Sequence, residues 1–298
     1  MVLSIDYRPN FLPVLEALPP APIILWVRDP KTPEDNDKLA TLRLPSSSAR
    51  PGGITDFDCT SLAPFVDRVR SAGLPVVVTG TAPSLALAKI PGTYGLAVDE
   101  VSLLPNPLDV VPDDVERTSR PTIVFLGRLD PVKRPWLFVE LARRFPSVEF
   151  VMLGQSHFAG EGSWEPAVFP DNVRLLGHVG GPDKTRLLAG AAMLVNTAIH
   201  EGLAIGFLEA LHCGTPIVSC QDPESVTSRF GLYVGRWDGS GLEALDAFKD
   251  AIQQLLDDED LRLRLGQEGR TWVRATHTRE NFVQTFGALV PETAGGSD

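Results

Sequence analysis

The chain has 298 residues, of which 43% are hydrophobic and 22% are charged, and its mean hydropathy is +0.03. The length predicts about two domains, and the composition excludes a disordered, collagen-like or disulfide-stapled chain. The 27 basic residues against 38 acidic ones leave a net charge of −11. We therefore expect no nucleic-acid partner, because surfaces that bind nucleic acids are basic.

The cysteine count and the apolar runs indicate the compartment. The three cysteines form no C-x-x-C pair, which argues against a disulfide framework and a structural zinc site and favours a reducing environment. The longest apolar runs, such as Ile23–Val27, are strand-sized and far below the ~18 residues that span a bilayer. Residues 1–20 lack the order of charges and apolar residues of a secretory signal. We expect a cytoplasmic protein.

Residues 1–111 are predicted to form a partial amino-terminal α/β domain. A helix opens at Thr32, which is followed by proline and two acidic residues, and a second helix covers Ser61–Ala72. Prolines are dense elsewhere in this region, and proline breaks regular elements. The predicted strands are Ile23–Val27, Pro75–Thr79 and Val101–Leu104.

The polar stretch 112–120 begins with one proline and precedes another, which predicts an interdomain linker. Over 121–275, apolar runs without in/out alternation are separated by helical periodicity, a pattern typical of a parallel sheet buried on both faces. The segment 276–298 holds a last helix near 279–290, predicted to return toward the first domain, and a tail. The strands of the second domain are predicted over 122–126, 148–153, 173–176, 192–195 and 216–219, and its helices over 136–145, 183–191, 205–212, 242–256 and 259–269.

One segment, His200–His212, combines carboxylates with a strand-to-helix turn. It follows a predicted strand, so it lies at the carboxyl edge of the sheet, where open α/β sheets bind ligands. The amides of Gly202 to Ile205 would form a helix N-terminus, which favours an anion. Glu201 lies in the loop and Glu209 falls about one turn into the helix, so both carboxylates can face one pocket.

A second strand-to-helix loop, Phe125–Arg134, carries cations. The guanidinium of Arg128 matches the geometry of a phosphate, and the ammonium of Lys133 adds a point charge. Two cations on one loop and a helix N-terminus on another predict a site that holds a diphosphate.

Together these residues resemble family 4 of the retaining glycosyltransferases, over about residues 95–275. The resemblance implies the GT-B fold, an α/β architecture of two Rossmann-like doubly wound parallel-sheet domains, of which we expect the first to be incomplete. The Glu-x7-Glu motif of the family matches Glu201 and Glu209, and its Gly-Arg-Leu-x3-Lys signature matches Gly127, Arg128, Leu129 and Lys133. Asn106-Pro-Leu-Asp109 is similar to the Asn-Gly-Val/Ile-Asp turn with which the family ends its first domain. Gly214-Thr-Pro-Ile-Val218, after the motif helix, also fits the family.

The resemblance also implies roles. Arg128 and Lys133 would hold the diphosphate of a nucleotide-diphospho-sugar donor and stabilise the charge that builds as the sugar leaves. Glu201 would accept hydroxyls of the sugar, and Glu209 those of the ribose. The backbone of Gly127, Gly202, Leu203, Ala204 and Ile205 would line the donor. No metal and no further cofactor would be required, and the acceptor would be a saccharide, a lipid or a small molecule.

The sequence departs from the family in two places. Ala204 stands where family members commonly carry glycine, and residues 1–51 contain no glycine, so they cannot supply the glycine-rich loop of a complete first domain. We therefore expect donor binding with weak or absent transfer, and self-association or a missing partner segment at the first domain. The alternative hypothesis is a non-catalytic nucleotide-sugar-binding module or partner subunit.

Three other interpretations are weaker. One is that Glu201 and Glu209 are the acid/base pair of a glycosidase. Arg128 and Lys133 argue against it, because a neutral glycan has no diphosphate for these cations to bind. Asp56-Phe-Asp58 has the spacing of metal-dependent glycosyltransferases but lacks the preceding apolar strand. His200 adjoins the motif and is a lesser candidate for substrate contact.

Overall fold

The computed structural model divides the chain into two compact units, which are described separately. The first comprises Met1–Asn36, Asp56–Asp109 and Thr276–Asp298, and the second comprises Asp37–Thr55 and Val110–Ala275. The predicted linker and the Asp56–Asp58 triplet lie outside the described residues. The structure describes residues 1–6, 12–17, 21–45, 51, 62–109, 111, 121–157, 162–164 and 168–290.

The first unit contains a parallel sheet of four strands, in the order β1-β2-β3-β4. All five residues of β2 are buried, whereas β1 alternates between half-buried and exposed residues as an edge strand does. Within the described residues the strand order does not reverse, so these four strands correspond to one half of a doubly wound sheet. The strands are β1 (Val2–Ile5), β2 (Ile23–Val27), β3 (Val76–Gly80) and β4 (Val101–Leu103).

Two helices join β2 to β3, and a longer helical segment joins β3 to β4. Thr32 caps α2 as its sequence predicts, because its Oγ1 accepts from the Asp35 amide at 3.2 Å while the Asp35 carboxylate accepts from the Thr32 amide at 3.0 Å. The segment before β4 includes a π-helical turn, Leu85–Lys89. The α-helices are α1 (Leu12–Ala17), α2 (Pro33–Ala40), α3 (Leu62–Ser71) and α4 (Ile90–Tyr94).

The second unit contains a six-stranded parallel sheet in the order β10-β9-β8-β5-β6-β7. The chain moves outward from β5 through β6 to β7, and then returns to β8 on the other side of β5. This reversal makes the sheet doubly wound, which confirms the predicted fold class. The strands are β5 (Thr122–Leu126), β6 (Glu149–Leu153), β7 (Val173–Gly177), β8 (Met193–Asn196), β9 (Ile217–Ser219) and β10 (Gly231–Tyr233).

The helices of the second unit bury an apolar core against this sheet. Phe138 and Phe150 meet edge to face, with ring centroids 5.0 Å apart. Leu39 and Leu42, from the amino-terminal part of the chain, are buried in the same core. The helices are α5 (Pro135–Arg144), α6 (Gly181–Gly190), α7 (Ile205–His212), α8 (Val226–Phe230), α9 (Leu245–Asp257) and α10 (Glu259–Thr276).

The last helix, α11 (Arg279–Leu289), belongs to the first unit. Thr278 caps it by accepting from the Asn281 amide at 3.1 Å. Its Phe282 ring lies 5.4 Å from the Trp26 ring of β2, centroid to centroid, so α11 covers one face of the four-stranded sheet. No helix in the described part of the chain has both the length and the apolar character needed to cross a bilayer.

Candidate functional site

The two motif loops meet at the point where the second sheet reverses its strand order. β5 and β8 are hydrogen-bonded neighbours, and the loop that follows each strand leaves the same carboxyl edge. The Ile199 amide donates to the Val132 carbonyl at 2.9 Å, and the Thr197 hydroxyl donates to the Lys133 carbonyl at 2.8 Å. Such a switch point is where open α/β sheets bind their ligands.

The structure brings Lys133 and Glu201 into direct contact. Lys133 ends a short 3-10 turn, Pro131–Lys133, and its Nζ lies 2.5 Å from Glu201 Oε1. The Glu201 side chain is only 9% exposed and that of Lys133 19%, so the pair is largely shielded from solvent and its charge–charge attraction exceeds that of a surface pair. Asn196, the last residue of β8, also donates to Glu201 Oε1, at 3.0 Å.

Arg128 is paired with a different carboxylate. Its Nη1 lies 2.9 Å from Asp130 Oδ2, and the other Asp130 oxygen accepts from the His157 amide at 3.1 Å. Asp130 is buried, but the Arg128 side chain is 53% exposed. The guanidinium is therefore accessible to an anion that arrives at the edge of the sheet.

Glu209 lies on α7 and contacts α6 rather than the Lys133 loop. Its Oε1 is 2.5 Å from Lys184 Nζ, and both side chains are half-buried. Burial, and then the nearby Glu209 carboxylate, raise the pKa of the Cys213 thiol to about 11, so Cys213 stays protonated. No motif in the sequence identifies Lys184.

The Gly202–Ile205 turn forms the start of α7, as predicted. The helix begins at Ile205, and Ala204 stands at the N-cap with extended backbone and without a side-chain cap. Leu203 is buried, and the amide of Phe207 already donates to the Ala204 carbonyl at 3.0 Å. The preceding His200 is buried as well. The amides at the first turn lie at the positive end of the α7 dipole.

Gly127 depends on a second glycine across the sheet edge. Gly154, at the end of β6, has φ +155°, and a Cβ there would lie 1.8 Å from the Gly127 carbonyl oxygen. The Gly127 amide in turn donates to the Leu153 carbonyl at 3.0 Å. This close approach sets where the loop that bears Arg128 leaves β5.

Arg134 links the loop after β5 to neighbouring loops through buried hydrogen bonds, and the sequence pattern did not single it out. It has a left-handed backbone (φ 46°) and a fully buried side chain. Burial lowers the pKa of its guanidinium, and the carbonyls and thiol around it replace water as hydrogen-bond partners. Its side chain donates to the carbonyls of Thr197, Ala198, Trp237 and Asp238 and to Cys220 Sγ.

The described residues contain no group of three or more His, Cys, Asp or Glu side chains that could hold a metal ion. The residues that the geometry does place at the carboxyl edge are cations, carboxylates and a helix N-terminus. Cations and helix dipoles of this kind stabilise phosphate groups directly.

Comparison with known proteins agrees with this fold. One human relative, a subunit of phosphatidylinositol N-acetylglucosaminyltransferase, is 30% identical over 128 residues, which are 40% of this chain and 26% of that protein. The GDP-mannose-dependent alpha-(1-6)-phosphatidylinositol monomannoside mannosyltransferase of Mycobacterium tuberculosis is 31% identical over 182 residues, 53% of this chain and 44% of that protein. The chain thus spans less than half the length of these two relatives.

Among solved structures, the Anabaena protein HepE in complex with UDP-glucose superposes with a TM-score of 0.66 at 15% identity, over 96% of this chain and 78% of that one. At this identity the similarity shows the fold alone. The model of the family "Glycosyl transferases group 1" matches residues 112–272, more than half of the chain and the whole of the site described above. The chain therefore belongs to the group 1 glycosyltransferase family.

Proposed function

We propose that the protein binds a nucleotide-diphospho-sugar and transfers its sugar to an acceptor with retention of configuration and without a metal. One observation carries the proposal: the two motif loops meet at the switch point of the second sheet, with Lys133 on Glu201. A diphosphate there would meet Lys133, Arg128 and the start of α7.

The chemistry follows from where charge develops. When the bond between the sugar and the diphosphate breaks, negative charge builds on the phosphate, and the cations of Lys133 and Arg128 stabilise it more in the transition state than in the ground state. Glu201 accepts hydroxyls of the sugar, and Glu209 accepts the ribose hydroxyls. The acceptor hydroxyl attacks on the face that the diphosphate leaves and gives its proton to the departing phosphate oxygen, so the configuration is retained.

The acceptor is proposed to be a saccharide, a lipid or a small molecule. The names of the two curated relatives refer to phosphatidylinositol substrates, which supports a hydroxyl-bearing acceptor. A second candidate function, a nucleotide-sugar-binding partner subunit, is favoured by the four-stranded sheet of the first unit and by the human relative, which is named as one subunit of its enzyme.

A thermal-shift panel tests donor binding. UDP, GDP, ADP and their sugar conjugates are added with and without EDTA, because a ligand that binds the folded state raises the melting temperature. We expect one nucleotide series to stabilise the protein equally with and without EDTA. NMR of the sugar product with a panel of acceptors then separates the enzyme, which yields the donor's anomer, from the non-catalytic protein, which yields none. If no nucleotide stabilises the chain, both functions are wrong.

A further inference from the structure

Asn196 is a buried polar residue that no motif identifies, yet it contacts the carboxylate at the centre of the site. It ends β8 and is 7% exposed. Its Oδ1 accepts from the Ala198 amide at 3.1 Å and from the Ser219 hydroxyl at 3.4 Å. These two donors fix the orientation of the side-chain amide, so Nδ2 must face Glu201, to which it donates at 3.0 Å.

Ser219 is itself held in place. It is fully buried at the end of β9, and its Oγ accepts from the Gln221 amide at 2.9 Å. The hydroxyl proton is therefore available to Asn196. The result is a chain of hydrogen bonds from the end of β9, through the end of β8, to Glu201, and networks of this kind rigidify their members.

Both donors to Glu201 use the same oxygen. Lys133 Nζ and Asn196 Nδ2 contact Oε1, and within the described residues Oε2 accepts no hydrogen bond. One oxygen thus anchors the carboxylate and the other is left to accept from a ligand. If a diphosphate recruits Lys133, Asn196 becomes the remaining anchor.

We propose that Asn196 is a positioning residue for Glu201: it holds Oε1 so that Oε2 accepts a hydroxyl of the donor sugar while Lys133 turns to the diphosphate. The inference rests on the proposed function. It predicts that loss of Asn196 weakens the binding of the sugar part of the donor and not that of the nucleotide. Loss of a residue with a merely structural role would not discriminate between the two.

The test is the ratio of two dissociation constants, that of a nucleoside diphosphate and that of its sugar conjugate, measured by calorimetry. The probes are UDP with UDP-glucose or UDP-N-acetylglucosamine, and GDP with GDP-mannose. For Asn196→Ala we expect the ratio to fall about tenfold, the loss typical of a hydrogen bond to a charged group. Binding of the nucleoside diphosphate alone should stay within about twofold, because the Asn196 side chain donates to Glu201 and not to a group that holds the diphosphate.

Asn172→Ala is the matched control. Asn172 also uses its side-chain amide to tie loops together, donating to the carbonyls of Ala142, Phe145 and Val148, but it precedes β7 at the edge of the sheet. It should lower the melting temperature and leave the ratio unchanged. An equal fall of the ratio in both variants would show a general loss of stability and overturn the proposal.

Asn196→Asp keeps the shape and removes the donor. Its carboxylate would face Glu201, and two neighbouring carboxylates share a proton as the pH falls. We therefore expect a low ratio at pH 8 that recovers toward the wild-type value at pH 5, with wild type measured at each pH.

The outcomes distinguish a failure of the proposed function from a failure of this inference. If wild type binds none of the probes, the proposed function fails and this inference with it. If wild type prefers the conjugate and Glu201→Ala abolishes that preference, while Asn196→Ala retains it, this inference alone is wrong. If the Asn196→Asp ratio follows that of wild type at every pH, the amide is not the anchor.

Discussion

Lys133 and Arg128 carry similar charges but differ in burial, and this decides how much each contributes. Lys133→Ala should weaken the binding of a nucleoside diphosphate by about 1.5–3 kcal/mol and should change the binding of the free nucleoside little, because the lost contact is charge-assisted. Arg128→Ala should weaken diphosphate binding by less, since the Arg128 side chain is 53% exposed and solvent screens its charge. Calorimetry with nucleoside and diphosphate measures both effects.

Arg186→Ala is the control for these variants. It removes an ion pair with Asp183 on α6, where both side chains are about 70% exposed, and should leave both affinities unchanged. Equal losses for nucleoside and diphosphate in Lys133→Ala would remove Lys133 from the phosphate site.

The two glutamates should separate by ligand. Glu209→Ala should weaken nucleotide binding whether or not a sugar is attached, whereas Glu201→Ala should lower the discrimination between sugars. Because Lys184 pairs with Glu209 at 2.5 Å, Lys184→Met should reproduce part of the Glu209→Ala loss. A double-mutant cycle with 2′-deoxy and 3′-deoxy nucleotides measures this coupling. The reverse pattern would mean that the roles of the two glutamates are exchanged.

The sequence identifies the charged residues of the site but not what holds them. Glu201 and Lys133 follow predicted strands at motif spacing, so their meeting at one sheet edge could be foreseen. Lys184 and Asn196 are contributed by other elements, and their contacts depend on how α6 packs on α7 and how β8 ends. A polar residue ending an otherwise apolar strand was the only signal for Asn196.

At the scale of elements, the close approach between the end of β6 and the loop that follows β5 depends on Gly154. Its φ is +155° and a Cβ would overlap the Gly127 carbonyl, so Gly154→Ala should destabilise the second unit by about 1–3 kcal/mol. Chemical denaturation measures the change. Gly287→Ala, on α11 with open space around it, should be neutral or stabilising. A neutral Gly154→Ala would show that the loop moves freely.

The errors in the predicted elements have physical causes. The first sheet has β1 in addition to the three expected strands, because an edge strand with exposed Leu3 and Ile5 lacks the run of buried residues that marks β2. The helix predicted over 259–269 continues to Thr276. Gly266 and Gly269 do not end it, because they allow close packing instead: Cβ atoms there would lie 2.1 Å from the Gly214 carbonyl oxygen and 2.5 Å from Leu211.

At the scale of the whole molecule, the chain returns to the first unit through His277. The Leu108 amide donates to the His277 carbonyl at 3.0 Å, and Leu108 pairs with Thr278. Burial lowers the pKa of the His277 imidazole to about 4, although the Asn106 carbonyl opposes the shift. The folded protein therefore keeps this imidazole neutral.

This burial predicts how stability depends on pH. The unfolded chain binds a proton at His277 near pH 6.5, its ordinary value, whereas the folded chain does so only near pH 4. The contribution is fully present above pH 6.5 and is lost as the pH falls toward 4, by about 3 kcal/mol in total. Burial also lowers the pKa of His212, which adds to the loss in the same direction.

Urea denaturation at several pH values between 7.5 and 4.5 measures this loss, and the difference between wild type and His277→Gln isolates it from carboxylate titration. We expect the free energy of unfolding of the variant to fall less steeply with decreasing pH, because its amide takes up no proton. His157→Gln, at an exposed histidine, should keep the wild-type slope. Parallel pH profiles for wild type and His277→Gln would mean that His277 takes up its proton as readily in the folded chain as in the unfolded one. The return of the chain to the first unit would then not depend on a neutral imidazole.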